Sequence, residues 1–336
     1  MPHPPALKMS LKRGACLAAA NWPLVVVQFI AEGTLNLLLA VPVVGGIFLV
    51  VLVLGADVEE VMAGDIKQII ATLVGALRAN PAALGAFAAA FLVVLIGGSI
   101  LTFVVKAGTV AILAEAESRA GPIERPPLRL AALRRANITN IEPFLAGCRA
   151  FGRRYVKLGM CLLVVYAITI YIGFLVGGYA LVGAGILGWT VLASLGLSVF
   201  VVWLTLINFF YLLTQMAIAV EDIGVRAAVA RVIDFIKASA REIAGIFGVV
   251  LLFVGIATVA SFLATAGLGL IAFVPFVGLA IVPMQVAAWL LRGVVFEFIG
   301  LSALGAYLTQ YRYYLHSHAT IAVQDAPSDV TGPRIA

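Results

Sequence analysis

Charge is what this 336-residue sequence has least of: 22 Lys and Arg with 16 Asp and Glu make up 11% of the chain, against roughly 25% in an ordinary soluble domain. Four stretches, 33–56, 79–105, 158–220 and 243–291, hold no Asp, Glu, Lys or Arg at all. Apolar runs of that length belong in a bilayer, which excludes a soluble multidomain enzyme. Histidine is nearly absent too, with only His3, His316 and His318. No HExxH zinc site and no intramembrane Ser-His pair can be assembled from these, and there is no Walker A loop, no GxGxxG after a strand and no pair of membrane aspartates. His316 and His318 have no third ligand at a fitting spacing, so they read as solvated and not as a metal site. Cys16, Cys148 and Cys161 are odd in number and form no CxxC, which implies neither a disulfide framework nor a redox pair. No cofactor is implied, and the hydrophilic segments are too short for a separate catalytic domain of typical size.

What the chain has is apolar surface, at 63% hydrophobic residues. About 20 apolar residues cross a bilayer as a helix, so the expected fold is an all-α polytopic bundle of six spans, near 22–41, 82–114, 158–177, 189–219, 243–266 and 279–312. Asn21-Trp22-Pro23 opens the first span, with Asn suited to cap it, Pro to its first turn and Trp to the headgroup level. The break at Pro42, Gly45 and Gly46 predicts a short re-entrant or interfacial segment over 43–55. An acidic amphipathic segment over 57–79 suits the outer face. After span two come Arg119, Arg125, Arg129, Arg134, Arg135, Arg149, Arg153, Arg154 and Lys157, which the positive-inside rule places in the cytoplasm together with both termini. The same rule accounts for the net charge of +6, so nucleic acid is not an expected partner. The tail over 316–336 is polar and is expected to be disordered.

Two further stretches separate charge from apolar side chains at helical spacing and predict interfacial elbow helices, over 143–157 and 222–241. In the second, Arg226, Arg231, Asp234, Lys237 and Arg241 oppose Val229, Val232, Ile233, Phe235 and Ile236. Aligning Phe151 with Phe235 also places Ala146 on Ala230, Arg153 on Lys237 and Lys157 on Arg241, each 84 positions apart. A parallel repeat of elbow plus two spans is inferred. Arg149, Arg153, Arg154, Lys157, Arg226, Lys237 and Arg241 are candidate contacts for anionic membrane lipids, each worth about 1 kcal/mol near a charged surface; plain positive-inside bias explains them equally well.

From Ala217 to Tyr314 the chain carries Ala-Val-Glu-Asp-Ile-Gly-Val, the elbow, Val-Pro-Phe-Val-Gly and a closing Gly-Ala-Tyr-Leu-Thr-Gln-Tyr. This segment resembles the membrane domain fused to some prokaryotic glycerophosphoryl diester phosphodiesterases, and related six-helix membrane proteins. The resemblance implies six spans with elbows in a prokaryotic cytoplasmic membrane. It does not bring the phosphodiesterase activity, because the acidic metal ligands and catalytic histidines of that enzyme domain are absent.

The residues most able to carry chemistry are the polar ones inside spans. Gln28, Glu32 and Asn36 fall at i, i+4 and i+8, one stripe along span one, and are joined by Lys106 in span two and by Arg292 and Glu297 in span six. An ionisable group at mid-membrane is costly unless paired or hydrated. Counting depth at about 1.5 Å per residue predicts the pairs Glu32 with Arg292 and Lys106 with Glu297. Two readings follow for the stripe: a buried seam gluing helices together, or the wall of a polar cavity. The first goes with a non-enzymatic accessory or membrane-organising subunit that engages lipid, a protein partner or a second copy of itself. The second goes with a carrier or channel for a lipid or small amphiphile. GxxxG at Gly173 and Gly177 is a common packing surface and specifies no dimer.

Overall fold

The computed structural model describes residues 6–54, 81–124, 130–180, 186–272 and 277–324. Where no water is available to its peptide groups, an apolar chain satisfies them internally, which favours unbroken helices. Among the described residues the elements are α1 (Leu7–Ala20), α2 (Trp22–Leu54), α3 (Pro81–Arg119), α4 (Leu130–Ala136), α5 (Ile141–Ala180), α6 (Ile186–Glu221), α7 (Val225–Ala238), α8 (Ala240–Ala272) and α9 (Val277–Gln324). Six of them, α2, α3, α5, α6, α8 and α9, are long and apolar enough to cross a membrane. The protein is an all-α, multi-pass bundle.

The long helices exceed the bilayer. α3, α5 and α9 hold 39, 40 and 48 residues, roughly 60 to 70 Å of helix against a hydrocarbon core of about 30 Å. The surplus lies at the end that carries the arginines of 119–157. There α1, α4 and α7 join the extended ends of α3, α5, α6 and α9 around the main core, whose largest fully buried side chains include Tyr155, Tyr307, Tyr311, Phe235 and Leu17. Towards the opposite end the helices turn apolar side chains outward, as with Phe174, Phe262 and Leu270, each more than 70% exposed. A bilayer is the solvent that suits such a surface.

Helix α1 is not anticipated from a basic N-terminus leading into span one. Ser10, Gly14, Leu17 and Ala18 are its buried stripe, at i, i+4, i+7 and i+8. The stripe seats on α9 so closely that a Cβ on Gly14 would lie 2.2 Å from the Ser302 carbonyl oxygen and 2.6 Å from the Ala306 nitrogen, and a Cβ on Gly305 would lie 2.9 Å from Gly14 Cα. Ser10 Oγ meets Gln310 Nε2 at 3.1 Å across the same crossing. α3 and α5 approach in a similar way, with Gly147 against Ala111 and Gly108.

Polar side chains lock this end. Glu117 on α3, nearly buried, takes Arg13 of α1 at 3.1 Å and Arg312 of α9 at 2.8 Å, and Arg13 also holds Glu124 at 2.9 Å. Glu221 pairs with Arg231 at 3.1 Å and accepts from Tyr311. Asn21, expected as the cap of span one, instead closes α1, with its N–H on the Leu17 carbonyl. Its fully buried amide donates to the Leu17 and Ala136 carbonyls and accepts from Ile138 N and Thr139 Oγ1, tying the α1–α2 corner to the α4–α5 connection.

Three boundaries differ from the sequence expectation. α2 runs through Pro42 to Leu54. A helix interrupted in the membrane would expose more peptide groups than the one hydrogen bond Pro42 removes, so the apolar run after it stays helical instead of re-entering. The 143–157 stretch is the start of α5 and not a separate element, whereas the second elbow is a distinct helix, α7, ended at Ser239. Tyr155 is the residue aligned with Ser239 in the 84-residue repeat, and it is wholly buried with its hydroxyl donating to the Gln215 carbonyl at 2.7 Å, which ties α5 to α6 there. Finally, α9 continues past 316 to Gln324, aided by the His318 ring lying 4.2 Å from that of Tyr314. The expected acidic segment 57–79 lies outside the described residues.

Candidate functional site

A cavity of about 660 Å³ lies between the spanning helices, and each of the six contributes to its wall. α2 supplies Gln28, Glu32 and Asn36, α3 supplies Ser99, Thr102 and Lys106, and α9 supplies Glu297 and Tyr307. α5 adds Tyr166, α6 adds Thr205, Asn208, Tyr211 and Gln215, and α8 adds Phe247 and Val250. Its volume falls within the range of small-molecule sites, and its wall has their character, mostly apolar with a few convergent polar groups.

Charge is concentrated at one level of this cavity. Lys106 Nζ lies 2.9 Å from Glu32 Oε1. The Glu32 carboxyl is also within hydrogen-bonding reach of Gln28 and of the Glu297 carboxyl. Two carboxyls and one ammonium thus share one level of the cavity, where an unpaired charge would be costly. The cluster is not sealed: the Lys106 and Glu32 side chains keep 26% and 37% of their surface exposed.

Five of the six stripe residues therefore line one cavity, and Arg292 does not. The expected pair Glu32 with Arg292 is replaced by Glu32 with Lys106, and Glu297 comes to Glu32. Residues 292 and 297 are five apart, about 140° round a helix, so both cannot face the same cavity. Arg292 points out of the bundle into a groove between α8 and α9, where its guanidinium lies 5.7 Å from the Phe296 ring centroid. No ion pair of Arg292 is found among the described residues.

Sequence reasoning missed the uncharged half of the site. Tyr166 Oη donates to Asn208 Oδ1 at 2.5 Å, joining α5 to α6, and Asn208 Nδ2 donates to its own helix at Leu204 O, 2.9 Å away. One and two turns further along α6, Tyr211 and Gln215 lie side by side, yet the Tyr211 hydroxyl and Gln215 Nε2 complete no hydrogen bond of good geometry. Positions 208, 211 and 215 follow i, i+3 and i+7, a polar stripe as legible as that of Gln28, Glu32 and Asn36.

The surface candidates sort differently. Arg149, Arg153, Lys157, Arg226, Lys237 and Arg241 are exposed at the Arg-rich end. Arg154 is engaged with Asp222, a residue at φ 53° in the α6–α7 turn. The apolar face of α7, expected to lie on a membrane, covers protein: the Phe235 ring packs 5.0 Å from Tyr311 and 5.3 Å from Tyr314. Gly173 has nothing within 4 Å of a built Cβ, so no helix crosses there. Cys16, Cys148 and Cys161 are free thiols. Burial pushes the Cys16 thiol above its usual range, with Lys12 opposing and Glu124 adding to the shift. No group of three or more metal-ligating side chains occurs among the described residues.

The chain matches no family model, no curated protein and no solved structure.

Proposed function

We propose that this membrane protein is a carrier for a small amphiphile, whose polar head passes through the cavity bounded by Glu32, Lys106 and Glu297. One observation carries the reading: the polar groups that meet between helices, Glu32 with Lys106 foremost, do so on the wall of a 660 Å³ cavity reached by all six spans. A seam that serves only as glue would leave no such space beside its paired groups. Here the ion pair stays partly exposed, and apolar neighbours such as Leu162, Phe209 and Leu212 offer a chain a place beside the head. The accessory-subunit reading draws on no comparable feature of the site.

Vesicles containing the full-length protein and a monoacyl lipid with a fluorescent headgroup label test the proposal. Added dithionite reduces label in the outer leaflet only. With the protein present, loss of fluorescence should continue past that fraction, and Lys106→Met should slow the second phase. Vesicles that behave like protein-free ones would refute the carrier.

We infer further that the Arg-rich end faces the cytoplasm, following the positive-inside rule. The exposed cations there are proposed to contact anionic headgroups. A cysteine at Arg149 should then resist impermeant thiol reagents in whole cells and react in inverted vesicles; the reverse pattern would overturn the orientation.

A further inference from the structure

An arginine within a span is rare, and as a rule it faces the bundle interior or a water-filled cavity. Arg292 does neither. It is exposed and borders a groove of about 540 Å³ on the outside of the bundle, between α8 and α9. Its depth follows from the central cavity. Glu297 shares the level of Glu32 and Lys106, and Glu32 is about 15 Å along α2 from Trp22, the middle of a hydrocarbon core of about 30 Å. Arg292 precedes Glu297 on α9 and so lies about 7.5 Å into the half of the membrane away from the Arg-rich end. From that depth a long side chain reaches the headgroup level by extending along the groove. The positive-inside rule, which accounts for the arginines at the other end, gives no reason for a cation here.

The spans offer this cation no acid. The stretches 33–56, 79–105, 158–220 and 243–291 hold no Asp or Glu, so the halves of α2, α3, α5, α6 and α8 at this depth carry none, whether in the same copy or in a second one packed beside it. Glu32 and Glu297 face the central cavity. The anion that every bilayer supplies near this depth is a lipid phosphate, and the planar fork of a guanidinium matches two of its oxygens. The Phe296 ring, 5.7 Å from the guanidinium, backs it on the bundle side. The rest of the groove suits the lipid's other parts. Ala257, Ala260, Ser261 and Ala264 of α8, at i, i+3, i+4 and i+7, leave a shallow apolar channel towards the midplane, and Thr265 and Gln285 put polar groups at the opposite, headgroup end. We propose that this groove binds an anionic phospholipid of the leaflet away from the Arg-rich end, with its phosphate on Arg292 and one acyl chain along the small side chains of α8.

Trp289 is a reporter built into the groove: it lies on the wall, is 57% exposed, and is held edge-on by Phe29 of α2. The full-length protein with Trp22, Trp189 and Trp203 changed to Phe retains it as the sole tryptophan. Its fluorescence is measured in phosphatidylcholine vesicles holding increasing fractions of phosphatidylglycerol or of phosphatidylcholine with brominated chains, which quench on contact. Phosphatidylglycerol should be preferred at Trp289 by about fivefold, the worth of one cation at an anionic headgroup. Arg292→Gln should bring the ratio to about one, and Arg292→Lys, which keeps the charge without the fork, should leave it in between. A protein retaining Trp203 alone, 51% exposed on α6, should be quenched equally by both lipids in every variant, which also reports that each is folded. Equal quenching of Trp289 by the two lipids, a preference that survives Arg292→Gln, or the same preference at Trp203 would overturn the site. A Trp289 that neither lipid quenches would overturn it too, and would make a protein helix the occupant of the groove.

Discussion

Adding a single methyl group at residue 14 probes the joint on which the Arg-rich end is built. In Gly14→Ala the new Cβ would sit 2.2 Å from the Ser302 carbonyl oxygen and 2.6 Å from the Ala306 nitrogen. Both are main-chain atoms of α9, so no side-chain rotation relieves the contact, and α1 has to lift by about 1 Å to regain ordinary van der Waals spacing. Lifting it loosens Leu17 and Ala18 in their pockets and stretches the Ser10–Gln310 hydrogen bond. Overpacking of this kind costs about 1–3 kcal/mol, which outweighs the gain of up to about 1 kcal/mol that alanine brings to a helix interior. Gly255→Ala in α8 is the matched control, because nothing lies within 4 Å of its built Cβ; it should gain stability by about 0.5–1 kcal/mol from the same propensity. Unfolding by SDS titration in mixed micelles, followed by circular dichroism, reads both. The two alanines should move the midpoint in opposite directions. A Gly14→Ala protein at or above wild-type stability would show that α1 is not seated against the α9 backbone.

Glu117→Gln leaves Arg312 against an uncharged partner, while Arg13 keeps Glu124, and should cost about 3 kcal/mol, the low end for removing one member of a buried ion pair; a loss within error of zero in the same titration would show the network to be solvated. Exchanging charges as Glu32→Lys with Lys106→Glu should restore the yield of monodisperse protein lost in either single variant, whereas Glu32→Arg with Arg292→Glu should not; rescue by the second exchange alone would contradict the pairing described. Asn21→Leu leaves the Ala136 carbonyl buried without its partner, at about 1–3 kcal/mol, and faster proteolysis in the 130–140 connection is the expected readout. Because the Cys16 thiol is raised by burial, its thiolate fraction at pH 8 is below that of a free cysteine, and iodoacetamide should label it more slowly than a model thiol; equal rates would mean that α1 opens freely.

How much of this could be read from the sequence depends on the kind of signal. The spans stood out because charge-free runs of bilayer length have few other physical explanations, and the shared face of Gln28, Glu32 and Asn36 followed from helical spacing alone. The partner of Glu32 did not. Depth counting ranks residues along the membrane normal but leaves open which way each helix is turned, and that choice separates Lys106 from Arg292. Weighing the 140° between Arg292 and Glu297 would have removed one of them. Asn208, Tyr211 and Gln215 were passed over because they are uncharged, although their spacing marks a stripe. Helix α1 was obscured by its lysines and arginine, and the part that Arg13 takes in the fold emerges only with Glu117 and Glu124 opposite. The 84-residue echo gave the positions of the elbows but not their shapes: one copy runs straight on into its span, and the other stops at Ser239 before the next helix starts.

The contact between α1 and α9 joins the first described helix to the last. A ribosome delivers residue 14 to the membrane surface long before it delivers residues 302 to 306, and until those arrive α1 has no seat. The earlier spans can insert one after another, but the Arg-rich end closes only when residues 302 to 306 have been made. Closure is thus a signal that synthesis has reached α9, and a chain stopped short would be left with the apolar stripe of α1 uncovered, the kind of surface by which quality-control proteases and chaperones distinguish an unfinished membrane protein from a finished one.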